Sequence, residues 1–212
     1  MLRHNSSAVS STVRAPGHLW FMGFVAAWGF LVTALAMSGL LARLPTPLLP
    51  LPIAVALGAL LAAYALVPAV RAYAQRLDMR TLTLFNVWRI PAALAFFAYG
   101  AQGLLPPSFV RNAGWGDLIA GAAAVPVALW LLPRPHWRRR SLVGFHLFSF
   151  ADFVVAVGTG FTFSVLGDPL MATLKTFPMA LIPLFGVPLT GALSVVALHR
   201  LATRAGKGAH TQ

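Results

Sequence analysis

The chain has 212 residues, 58% of them hydrophobic and 9% charged, where soluble domains run at about 45–50% apolar and about 25% charged. That balance excludes a soluble enzyme, a collagen-like fibre, a disordered chain and a disulfide-stapled module, and leaves an all-α membrane bundle of roughly six spans of about 20 residues each. The net charge of +12, from 16 Lys+Arg against 4 Asp+Glu, lies at the ends of apolar runs and not in one aromatic-interleaved patch, which argues against nucleic acid as a partner.

In chain order the sequence predicts a basic N-terminal tail (1–18), a six-helix transmembrane domain (19–199) and a basic C-terminal tail (200–212). The apolar runs are Leu19 to Ala42, Pro52 to Val70, Leu82 to Leu105, Leu118 to Leu132, Leu142 to Leu166 and Phe177 to Leu198. Prolines and glycines punctuate the connections: Pro45, Pro47 and Pro50, then Pro106 and Pro107, then Pro133 and Pro135, then Gly167 and Pro169. The first run could alternatively be a signal peptide cut after Ala34-Leu35-Ala36, but it continues through Gly39 and Leu41, longer than the usual signal core. A signal anchor is therefore expected.

Alternate loops carry very different numbers of basic residues. Arg3, Arg14, Arg71, Arg76, Arg80, Arg134, Arg138, Arg139, Arg140, Arg200, Arg204 and Lys207 fall on one side, against Arg43, Arg111 and Lys175 on the other. The positive-inside rule then places both termini in the cytoplasm. Arg138, Arg139 and Arg140 beside His136 and Trp137 also suit anionic headgroups.

Three ionisable residues fall inside the runs, where each is costly in hydrocarbon. Arg89, Asp152 and His146 lie roughly 12, 15 and 6 Å from the cytoplasmic ends of the third and fifth spans, which run the same way. Arg89 cannot shed its proton, so the similar depth of Asp152 predicts an intramembrane charged pair. Such a pair either fixes helix register or serves function, with Asp152 as a proton-coupling group and Arg89 holding it ionised or binding an anionic substrate. Asn86, His146, Ser149 and Thr190 are candidates for lining a polar cavity around it.

Asn86, Arg89, Ala93, Phe96, Gly100 and Gly103 share one helical stripe. Pro91, Pro178, Pro183 and Pro188 are expected to kink their helices and free carbonyls. His146, Ser149 and Asp152 do not make a catalytic triad, because the serine lies between the other two. No catalytic or metal-ligating spacing is present, although His146 and His199 on different helices could ligate a haem, with His18 and His136 also toward the cytoplasmic end. Trp115 and Asp117 suit an outer interfacial position at the start of the fourth helix, with Arg111 and Asp117 as the alternative rim of an entrance.

The stretches Arg89-Ile90-Pro91, Leu105-Pro106, Gly114-Trp115-Gly116-Asp117, Asp152-Phe153-Val154-Val155-Ala156 and Phe177-Pro178 through Leu181-Ile182-Pro183 to Val187-Pro188-Leu189 cover about the last 130 residues. In these the chain resembles an uncharacterised family of small polytopic bacterial inner-membrane proteins. The resemblance implies a multi-pass bundle in the bacterial inner membrane and assigns no functional residue. The expected activity is a small-solute or proton-coupled transporter or permease, against a structural or accessory subunit or a haem- or lipid-binding protein. The expected partners are the bilayer and either a second copy or a membrane subunit.

Overall fold

The computed structural model describes residues 16–209, with the side chains of residues 16–18, 135–137 and 204–209 outside what is described. The first fifteen residues, with Arg3 and Arg14, and the side chains of His18, His136, Trp137, Arg204 and Lys207 therefore lie outside it. The described residues are helical, without strands. Among the described residues six helices are long and apolar enough to cross a membrane: α1 (Leu19–Met37), α2 (Thr46–Leu66), α3 (Met79–Ala101), α4 (Pro107–Leu131), α5 (Arg138–Val165) and α6 (Ile182–Thr203).

Their boundaries follow from proline and glycine chemistry. Pro50 and Pro107 stand at first-turn positions, where a missing N–H leaves nothing unpaired. Val67, held extended before Pro68, ends α2, so the run predicted to reach Val70 breaks into a separate short helix, Pro68–Arg76. Gly103 (φ 70°) and Gly167 (φ 75°) close α3 and α5 in the left-handed conformation. There Leu104 N–H bonds the Tyr99 carbonyl at 3.0 Å, and Asp168 N–H the Phe163 carbonyl at 3.0 Å.

The largest departure from expectation is α4, which begins eleven residues before Leu118. A run of fifteen residues is too short to cross a bilayer; the helix from Pro107 to Leu131 has 25. Two π-turns, Val110–Gly114 and Val127–Leu131, accommodate the irregular stretches, the second directly after Pro126 inside the helix.

The prolines of the last segment divide. Pro178, preceded by a cis peptide bond, lies in the turn before α6, so it kinks no helix. Pro183 sits at the start of a π-turn, Ile182–Gly186, and buried Pro188 in the turn that follows. Pro91 follows a tight 3₁₀ turn, Phe85–Trp88, and Arg89 sits at that junction.

The helices are joined by close approach of small residues. A Cβ on Gly121 of α4 would meet Ile90 N at 3.0 Å and Asn86 O at 3.3 Å, so backbone lies against backbone between α3 and α4. Gly186 of α6 leaves no room for a methyl group beside the Trp88 indole. α1 is peripheral, meeting the start of α6 through Trp28 and Phe185 with ring centroids 5.3 Å apart. Large apolar side chains face outward all round, among them Trp20, Phe30, Val55, Leu94, Trp130, Val154 and Phe161.

Candidate functional site

Arg89 is the eleventh of 23 residues in α3, Asp117 the eleventh of 25 in α4 and Asp152 the fifteenth of 28 in α5. All three are at mid-helix, and the bundle brings them together. Arg89 Nε donates to Asp117 Oδ1 at 2.6 Å, and Arg89 Nη2 donates to Asp152 Oδ2. Arg89 Nη1 donates to Ser149 Oγ at 2.9 Å, and Ser149 Oγ in turn donates to Asn86 Oδ1 at 2.9 Å. Arg89 is 2% exposed, so the guanidinium satisfies itself with two carboxylates and a serine away from solvent.

The expected contact between Arg89 and Asp152 is present, with Asn86 and Ser149 behind it. Asp117, assigned from sequence to an outer helix start, is instead a second buried partner of the same arginine. The exposed Arg111 makes no rim with it. A longer α4 carries Asp117 about three helical turns from the helix start, into the interior, where an unpaired carboxylate would be costly.

A glycine and an asparagine let the cluster close. Asp152 Oδ1 stands where a Cβ on Gly116 would be, so only glycine lets the carboxylate reach over α4. Asn86 anchors its amide to the carbonyls of Leu82 and Thr83, at 3.3 Å each.

The other candidates sit elsewhere. Thr190 accepts from Trp88 Nε1 at 2.9 Å and donates to the Gly186 carbonyl at 2.8 Å, tying α6 to α3 outside the arginine cluster. His146 is buried about two turns before Asp152, its Nε2 3.5 Å from Thr83 Oγ1 and its Nδ1 without a partner among the described residues. His199 Nδ1 instead pairs with the Tyr64 hydroxyl at 2.7 Å, so the two histidines occupy separate surroundings. Among the described residues no three His, Cys, Asp or Glu side chains gather where a metal could sit.

A cavity of about 70 Å³ lies beside the cluster. Arg89 and Asp117 form its charged end, and Ile53, Phe96, Phe109, Phe153, Met171 and Ile182 belong to its apolar wall. Over the loop side, Lys175 Nζ donates to the Leu44 carbonyl at 2.7 Å and Thr173 Oγ1 to the Leu104 carbonyl at 2.7 Å. These two bonds tie three connections together above the cavity. The chemistry available is charge compensation and proton exchange at a carboxylate, in a compartment that also accepts an apolar body.

No curated protein and no solved structure matches the chain. Residues 46–202 match the family model described as Domain of unknown function (DUF8737), a stretch that runs from the start of α2 to within one residue of the end of α6 and contains the whole cluster and the cavity. The chain belongs to that family.

Proposed function

We propose that the protein is a small-solute transporter of the bacterial inner membrane, coupled to protons through Asp117 and Asp152. Both termini are cytoplasmic in this reading, because the connections on the side of Arg71, Arg76, Arg134 and Arg138 hold most of the basic residues.

The observation that carries the reading is one arginine shared by two carboxylates at mid-helix, beside a cavity. With both carboxylates ionised the cluster has one excess negative charge; one proton makes it neutral. An excess charge away from water is unfavourable, so occupancy of the cavity and protonation of the cluster are linked. Arg89 is already saturated by two carboxylates and Ser149, which weighs against its use as the anion-binding group. The π-turns at Val110–Gly114 and Ile182–Gly186 bring irregular backbone to the cavity wall at Ala113, Ile182 and Pro183, as suits a helix that rearranges during transport.

The competing reading is a structural or accessory subunit in which the cluster only fixes register, favoured by its hydrogen bonding across three helices. Liposomes holding the purified protein and a pH-sensitive dye separate the two. Small cationic, neutral and anionic solutes are added in turn to one side. At least one solute is expected to drive a proton flux that falls to the empty-liposome rate in Asp117→Asn and Asp152→Asn, both still monodisperse and helical. Flux at the empty-liposome rate with every solute, or flux unchanged in both variants, would overturn transport through this site.

A further inference from the structure

We infer that the cavity is a binding site for a small monocationic amine with an apolar body, its ammonium group held by Asp117; this rests on the transport reading and names its substrate class.

Three observations converge. The first is charge. Counted with Asp152, the polar end of the cavity has one cation and two carboxylates, so the bound group that leaves it neutral is a single positive charge. An anion would add to an existing excess, and a neutral molecule would leave it uncompensated.

The second is hydrogen bonding. Arg89 engages Asp117 through Oδ1 only and Asp152 through Oδ2 only. Asp152 Oδ1 is spent against Gly116, inside the α4–α5 contact. Asp117 lines the cavity, and among the described residues its Oδ2 accepts no hydrogen bond, which leaves an acceptor for an ammonium N–H.

The third is shape and access. Apart from Arg89, Asp117 and Ser164 the lining is apolar, and its size suits a chain of a few carbons. Phe161 both lines the cavity and is 52% exposed on the outer surface of α5, so the wall is continuous with the face turned to the bilayer. An amine that partitions into the bilayer as the free base has a lateral way in. Once inside, it takes the proton that Asp117 or Asp152 carries, and the products are an ammonium and a carboxylate. Atoms and charge balance within the site, and the ammonium so formed neutralises the one excess negative charge that the carboxyl proton had neutralised before.

The test uses the full chain in lipid nanodiscs, with n-butylamine, n-butanol and butyrate as probes and thermal unfolding as the readout. Butylamine is expected to raise Tm saturably by about 2–4 °C at roughly five times its Kd, with butanol giving less than half of that and butyrate no rise. Asp117→Asn removes the excess charge and is expected to abolish the shift. Ala156→Leu, which fills the cavity and leaves every charged residue in place, is expected to abolish it too and controls for a misfolded Asp117 variant. Equal shifts from butanol and butylamine, a shift from butyrate, or a butylamine shift retained in Ala156→Leu would overturn the inference. If butylamine gives no shift while another solute drives Asp-dependent flux, the inference falls and the transport reading stands. If butylamine binds as described but no solute moves protons, the binding site stands and transport falls.

Discussion

Gly116 lacks a side chain at the one place where the Asp152 carboxylate crosses α4. Gly116→Ala is therefore expected to push Asp152 off Arg89 and cost about 1–3 kcal/mol by overpacking, seen as a fall in Tm of several degrees. An unchanged Tm would mean that Asp152 does not rest there. Arg89, Asp152, Asn86 and Ser149 were legible in the sequence, because polar atoms deep in apolar runs must find each other. Asp117 was not. Arg111, Asn112 and Asp117 together lower the local hydropathy, so the apolar run starts only at Leu118 and the carboxylate reads as interfacial. The signal that would have found it is length: a span needs about 20 residues, and fifteen obliges the helix to extend backward through Asp117 to Pro107. Thr190 was expected to line a polar cavity around the charged pair, yet a nearer partner, the Trp88 indole, takes its hydroxyl. Periodicity does not show which of two neighbours a hydroxyl will meet.

Helix pairs depend on different kinds of contact. Between α3 and α4 the would-be Cβ of Gly121 faces the backbone atoms Ile90 N and Asn86 O, which cannot rotate away. Gly121→Leu is accordingly expected to separate the two helices and to lower Tm more than Gly116→Ala, whose neighbour is a side chain; the reverse order would contradict the packing. Between α2 and α6 the tie is polar, Tyr64 to His199 at 2.7 Å. Tyr64→Phe should cost about 0.5–1.5 kcal/mol, the ordinary value of one hydrogen bond, checked by thermal unfolding. Pro50 and Pro107, read from sequence as breakers in the connections, stand in first helical turns, and Pro178, expected to kink a helix, stands in a turn. The reason is physical: proline is compatible with a first helical turn, an interior kink and a turn alike, and tertiary contacts decide among them.

At the scale of the molecule, six long apolar helices were readable from composition and run length, whereas the assembly of one arginine with two aspartates was not, since it depends on which spans are neighbours. The chain has no cysteine, so single-cysteine variants at exposed loop and helix-end positions report orientation without background. Ser108→Cys and Thr176→Cys are expected to react with an impermeant maleimide added to intact cells, and Gln75→Cys and Thr203→Cys only after lysis; the opposite pattern would invert the topology. The central claim is that Arg89 serves both carboxylates at once, and a stability cycle in the purified protein tests it most directly. Removing Arg89 alone leaves two buried carboxylates uncompensated, at a cost of about 3–5 kcal/mol, whereas removing all three charges restores neutrality. Thermal unfolding of Arg89→Met, Asp117→Asn, Asp152→Asn and the triple variant should give the lowest Tm for Arg89→Met and a triple variant well above it. A triple variant whose loss equals the sum of the three single losses would contradict the shared cluster.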